Sequence, residues 1–131
     1  MSQRCSFLIA TSVTTLLAIA AVVMEGASCA PNPTPQPGST EVAIQGLAFV
    51  PKAVTINQGG TVRWTNHDLV LHTVTSGNPI DANPGILFDS GDLAAGQSYM
   101  HQFNVAGTFT YFCRHHPTTP AMVDATVTVI P

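Results

Sequence analysis

The sequence has few charged residues, and this shortage limits the partners that the protein can bind. Four of its 131 residues are Lys or Arg and seven are Asp or Glu, so charged residues make up 8% of the chain. After residue 40 the basic residues are Lys52, Arg63 and Arg114, which lie far apart in the sequence. Nucleic acid binding depends on clustered cations that neutralise phosphates, so we expect no nucleic acid partner. A protein partner is then expected to dock through apolar surface rather than through charge steering.

Cysteines that could pair are also missing from the part of the chain that is expected to fold. Of three cysteines, Cys5 and Cys29 lie in the first 29 residues, which leaves Cys113 alone in the remainder. This arrangement excludes a small domain that is stapled by disulfides. An unpaired thiol in an oxidising compartment is a liability unless something holds it, and metal coordination is one way of holding it.

No stretch after residue 40 has the apolar period of a helix, whereas short runs with the period of β-strands recur. Val62 and Trp64 alternate with Arg63, and residues 126–129 alternate strictly between Thr and Val. Turn residues separate these runs. Seven to eight short strands predict an all-β domain over residues 41–131, folded as an antiparallel Greek-key β-sandwich.

The N-terminus has the features of a secretory signal. Arg4 is followed by an uncharged apolar stretch and then by the small residues Gly26, Ala27 and Ser28, which is the order typical of such signals. Residues 1–29 therefore predict export, to the periplasm or the outer face of the cytoplasmic membrane. Cys29 resembles a lipoprotein cleavage site, although Gly26 stands where Leu is usual. A lipid tether at Cys29, an uncleaved anchor and ordinary cleavage all stay open.

A proline-rich segment separates this signal from the predicted domain. Residues 30–40 carry prolines at alternate positions, a composition that gives an extended, semi-rigid spacer with no means of burying a core. We therefore predict a linker over residues 30–40.

Residue types that bind metals cluster where one predicted strand ends. Cys113 and His116 are three residues apart, which puts two ligands on one tight loop, and Met122 follows. A third strong ligand must come from elsewhere, and His72 is the best candidate. One thiolate, two imidazoles and a weak thioether suit copper that cycles between two oxidation states.

The chain resembles the cupredoxin family, especially its plastocyanin-like and amicyanin-like members, over nearly all of residues 41–131. The resemblance implies one type 1 (blue) copper ion held by His72, Cys113, His116 and Met122. It also favours His116 over the adjacent His115 as the loop ligand. The motifs that carry the resemblance are Phe49-Val50-Pro51, Gly59 to Asp68, His72-Thr73-Val74, Phe88 to Gly96, and the series of Gly107, Phe109, Tyr111, Cys113, His116 and Pro117.

Met122 departs from the family spacing. It follows His116 by six residues, whereas plastocyanin-like members have this Met five residues after the His and amicyanin-like members three. We expect the loop to bulge outward around Thr118 and Thr119, which would let Met122 reach the axial position.

The resemblance implies a one-electron carrier and not an enzyme. Its redox partners are expected to dock near His116, and the protein is expected to be a monomer. Copper delivery or storage is the alternative function, although delivery proteins favour Met- and His-rich exposed sites. A structural zinc site would need four firm nitrogen or sulfur ligands, and a Cys–His nucleophile pair would need an orienting acid that the sequence does not offer.

Overall fold

The computed structural model describes residues 38–131. The predicted signal over residues 1–29, the lipidation site at Cys29 and most of the predicted linker lie outside the described residues. Among residues 38–131, no helix is long and apolar enough to cross a membrane.

Eight strands make up the described part of the chain. They form two four-stranded sheets, with the orders β2-β1-β4-β6 and β3-β8-β7-β5. The only helical element in this part is one turn of 3-10 helix, Pro120–Met122. The strands are β1 (Ser39–Ile44), β2 (Phe49–Val50), β3 (Ala53–Asn57), β4 (Thr61–Asn66), β5 (Thr75–Ser76), β6 (Ser98–Gln102), β7 (Gly107–Phe112) and β8 (Ala125–Ile130).

The predicted all-β architecture with seven to eight strands is confirmed, but both sheets are mixed rather than purely antiparallel. Strand β1 runs parallel to β4, and β3 runs parallel to β8. Between β1 and β4 the chain crosses to the other sheet through β3, and such a crossover lets β4 return in the direction of β1. Strand β1 begins at Ser39, ahead of the predicted domain start at Glu41, because Ser39 pairs with Thr61.

The core lies between the two sheets and is centred on Trp64, which is fully buried as the strand alternation predicts. The indole makes a T-shaped contact with Tyr111 at 5.4 Å between ring centroids. It stacks against Tyr99 at 5.9 Å and Phe88 at 6.0 Å. Aromatic pairs in these geometries add to the stabilisation from burial alone, so this cluster fixes the two sheets against each other.

Candidate metal centre

His72, Cys113 and His116 come together at one point. The Cys113 Sγ atom lies 3.6 Å from His72 Nδ1 and 3.5 Å from His116 Nδ1. Within the described residues this is the only group of three or more His, Cys, Asp or Glu side chains placed to hold a metal, and its donor atoms all lie within 4.8 Å of one another. His72 and Cys113 are completely buried, and His116 is partly exposed.

These distances fit a single ion between the three donors. Bonds of about 2.0 Å to nitrogen and about 2.3 Å to sulfur, spread at about 120°, would separate a nitrogen from the sulfur by about 3.7 Å. The observed separations of 3.5 and 3.6 Å are close to this value. A set of two imidazoles and one thiolate is also the combination typical of type 1 copper. The separations therefore fit one metal ion of this size, and the donor chemistry favours copper.

Strand β7 brings Cys113 to the centre, since the strand ends at Phe112 and the thiol is on the next residue. The backbone N–H of Thr73 donates to Cys113 Sγ at 3.3 Å. Thr73 directly follows His72, so one short segment supplies both a nitrogen ligand and a hydrogen bond to the sulfur. Such a bond stabilises negative charge on a thiolate.

Four backbone hydrogen bonds hold the loop from Cys113 to Met122. The N–H of His116 donates to Cys113 O at 3.2 Å, that of Thr119 to His116 O at 3.2 Å, and that of Met122 to Thr119 O at 2.8 Å. The N–H of Cys113 then donates to Met122 O at 2.9 Å, which closes the loop on itself. The first three of these bonds each span three residues, so three successive turns accommodate the length of this loop. Thr118 faces solvent.

Met122 is buried, and its carbonyl group lies against the backbone of Cys113. The 3-10 turn and the closing hydrogen bond fix its main chain beside the three donors. Its assignment as the axial ligand stays a prediction.

Asp68 orients the ring of His72. Its carboxylate lies 3.0 Å from His72 Nε2 and also accepts hydrogen bonds from the backbone N–H groups of Gly46 at 2.7 Å and Leu47 at 2.9 Å. A proton on Nε2 that donates to the carboxylate leaves Nδ1 free to bind a metal. Burial raises the pKa of Asp68, but the three hydrogen bonds outweigh it and hold the pKa below its ordinary 3.8.

His116 and its neighbours differ in their surroundings. Burial lowers the pKa of His116 below 6.5, His72 and His115 lower it further, and Asp68 acts in the opposite direction. A lowered pKa favours the neutral imidazole, which is the form that binds a metal. His115 is exposed and lies 2.7 Å from Asp92, and His67 is exposed as well. Neither belongs to the group of side chains placed to hold a metal.

Two residues that support the site have roles that sequence reasoning missed. Asn66 is fully buried at the end of β4, where its side-chain amide donates to the carbonyls of Val70 and Leu93, each at 2.8 Å. Asp68 lies four residues before His72, and that spacing is the signal that could have suggested their contact. The role of Asp68 depends on the Gly46–Leu47 turn, which no local pattern connects to it.

Comparison with known proteins identifies the family. The family model of copper binding proteins, plastocyanin/azurin family, matches residues 37–130, and the chain belongs to this family. Amicyanin-alpha of Methylorubrum extorquens is 36% identical over 102 residues, which cover 76% of this chain and 78% of that protein. Plastocyanin of Scenedesmus fuscus is 38% identical over 87 residues, which cover 63% of this chain and 87% of that protein.

A solved structure agrees with this assignment. The novel purple cupredoxin from Nitrosopumilus maritimus superposes with a TM-score of 0.58 at 30% identity, over 68% of this chain and 97% of that one. The predicted resemblance to cupredoxins is thus confirmed. Copper is the cofactor of the family, and His72, Cys113 and His116 are arranged as a possible copper site.

Proposed function

We propose that this protein carries single electrons between redox partners in an exported compartment, with type 1 copper bound by His72, Cys113, His116 and an axial Met122. The observation that supports this most strongly is the convergence of one sulfur and two imidazole nitrogens at separations that suit one ion. Copper bound there supplies a couple that takes up and releases one electron.

The surroundings of the donors suit repeated electron transfer. A carrier works best when its ligands move little between the two oxidation states, so the protein must hold them in place. The loop closed between Cys113 and Met122 restrains three proposed ligands, Cys113, His116 and Met122, and Asp68 restrains the ring of His72. This support from hydrogen bonds outside the donor set favours a fixed arrangement.

His116 offers the route by which an electron enters or leaves, because it is the donor residue with partial exposure. Pro117 beside it is exposed, and Leu69, three residues before His72, is 95% exposed. Exposed apolar residues around a metal ligand let a redox partner approach closely and dock briefly. We propose that partners dock on this surface, which we call the His116 face, defined by His116 and Pro117.

The surroundings of the donors also favour electron transfer over the alternative functions, which are copper delivery, copper storage and catalysis. Cys113 and His72 have no exposed surface, which disfavours direct attack of the thiol on a substrate, and the folded part has only Met100 and Met122 where delivery proteins favour Met-rich exposed sites. We therefore favour a carrier over copper delivery, copper storage or an enzyme. Export is supported by the N-terminal sequence, and a membrane tether would depend on Cys29 or on an uncleaved N-terminal segment.

Pro117→Glu tests the proposed role of the His116 face. The variant should slow electron exchange between oxidised and reduced copper protein by about tenfold or more, because a like charge on the docking surface disfavours encounter. NMR line broadening in mixtures of the two forms measures this rate, and the visible spectrum should change little.

Val105→Glu is the matched control. Val105 is exposed and precedes β7, whereas Cys113 follows the other end of that strand, so this variant adds the same charge far from the site and should exchange electrons at the unmodified rate. Equal rates for Pro117→Glu and the unmodified protein would contradict transfer through the His116 face.

A further inference from the structure

A closed ring of hydrogen bonds lies next to the proposed copper site and joins the Cys113 loop to the His72 segment. The Arg114 N–H donates to Thr73 Oγ1 at 2.9 Å, and Thr73 Oγ1 lies 3.0 Å from Thr75 Oγ1. The Thr75 hydroxyl donates to Asp89 Oδ1 at 3.3 Å. The ring closes where Asp89 Oδ2 pairs with the Arg114 guanidinium at 2.6 Å.

Every proton in this ring has one possible place. The backbone N–H of Arg114 can only donate, so Thr73 Oγ1 accepts there. The single hydroxyl proton of Thr75 goes to Asp89, so the proton of Thr73 must go to Thr75. Both threonines are buried, and a buried hydroxyl that loses its partner costs stability. The ring therefore has one arrangement, which depends on the carboxylate of Asp89.

The backbone nearby makes room for the ion pair of Arg114 and Asp89. Gly85 has a φ of 86°, and a Cβ atom placed there would lie 2.7 Å from Arg114 Nη2 and 2.9 Å from Asp89 Oδ2. The same guanidinium donates to Pro84 O at 3.1 Å. The pair is thus seated against a backbone segment rather than standing free in solvent.

We propose that Arg114 is a positioning residue for the copper site, acting together with Asp89. By closing the ring, the pair fixes Thr73, whose backbone N–H donates to Cys113 Sγ. This inference rests on the proposed function, since it assigns the ring a part in setting the reduction potential. A hydrogen bond to the ligand sulfur withdraws electron density and favours the reduced metal. Loosening the ring should therefore lower the midpoint potential.

The charges of the two partners allow a decisive test. If Arg114 and Asp89 acted only through their electric field, Arg114→Gln would lower the potential and Asp89→Asn would raise it. If they act through the ring, both variants lower it, because each breaks the same closure. We expect both variants to shift the one-electron equilibrium toward copper(II) by about tenfold, which is about 59 mV. Shifts of opposite sign would overturn the proposal.

A second measurement needs no copper. In the metal-free protein, amide hydrogen exchange at Arg114 and Thr73 should quicken by about three- to tenfold in both variants, since each amide loses a fixed acceptor. Glu41→Gln is the control, because it breaks the Arg63–Glu41 pair of the other sheet and should leave these two amides unchanged. Exchange that is unchanged in Arg114→Gln and Asp89→Asn would also overturn the proposal.

The two measurements separate this inference from the proposed function. If the unmodified protein shows no reversible one-electron couple with copper, the proposed function fails, and amide exchange alone then decides whether the ring positions Thr73. If the couple is present and the potentials of the two variants shift in opposite directions, the proposed function stands and the positioning role of Arg114 fails.

Discussion

His72 enters the metal centre with one ring nitrogen already engaged. Its Nε2 atom faces the Asp68 carboxylate at 3.0 Å, and its Nδ1 atom faces Cys113 Sγ at 3.6 Å. Because Asp68 is itself fixed by two backbone N–H groups of the Gly46–Leu47 turn, the ring has little freedom to rotate. A ligand that is oriented before the metal binds costs less conformational entropy on binding.

Met122→Leu tests the proposed axial ligand. A thioether donates weakly to copper(II), so its replacement by an apolar side chain of similar volume should raise the midpoint potential while the site stays blue. We expect a rise of about 60 mV or more, equivalent to a tenfold change in a one-electron equilibrium. Cyclic voltammetry measures the potential.

Met100→Leu makes the same chemical change on β6, away from the Cys113 loop, and should leave the potential as it is. If Met122→Leu leaves both potential and spectrum unchanged, Met122 is a packing residue and three protein side chains bind the copper.

At the scale of elements, the connection from β4 to the His72 segment depends on Asn66. Its amide group donates to Val70 O and Leu93 O, and its oxygen accepts from the N–H of Asp68. One buried side chain thus fixes the loop that carries Asp68 and that leads to His72. Beyond the end of β4, the side chain of Asn66 supplies hydrogen bonds to backbone groups that strand pairing no longer satisfies.

Asn66→Ala should lower the free energy of unfolding of the metal-free protein by about 2–3 kcal/mol, because the three hydrogen bonds of this fully buried side chain, to Val70 O, Leu93 O and the Asp68 N–H, are lost together. Denaturant titration followed by Trp64 fluorescence measures this change. Asn104→Ala at an exposed position serves as the control and should change the stability by less than about 0.5 kcal/mol. A loss of similar size in both variants would contradict the role given to Asn66.

The strands show which features of the fold the sequence predicts and which it does not. Alternation in β4 predicts correctly that Val62 and Trp64 face the core, because side chains on a strand point to alternate faces. Alternation carries no information about the neighbour of a strand, so the parallel pairing of β1 with β4 could not be predicted. His72 itself lies outside the regular strands, since β5 covers Thr75–Ser76 and His72 makes only an isolated bridge with Leu93.

The candidate site likewise has some features that the sequence predicts and others that it does not. Cys113 and His116 are close in sequence and have distinctive chemistry, so the sequence predicts that they act together. The structure brings His72 to them as the family resemblance implies. The hydrogen bonds that join Asp68 to Gly46, Asn66 to Leu93 and Thr73 to Cys113 could not be predicted, because each connects segments that lie far apart in the sequence and meet only in the folded chain.

At the scale of the whole molecule, the sandwich holds the three donors at one end, where Asp68 contacts His72 and Asp92 contacts His115. Strand β7 delivers Cys113, and the loop after β4 delivers His72. Arg114 is adjacent to the site, but its charge is paired with Asp89. The centre thus combines two buried donors, His72 and Cys113, with one partly exposed imidazole, that of His116.

The identity of the metal centre is tested most directly by the visible spectrum of the copper-loaded protein beside that of Cys113→Ser. Intense absorption at the red end of the visible spectrum comes from charge transfer between a thiolate and copper(II), so it requires the sulfur of Cys113. We predict a strongly coloured unmodified protein and a Cys113→Ser variant that binds copper weakly and is pale. A pale unmodified protein, or intense colour that survives in Cys113→Ser, would contradict a type 1 copper site at Cys113.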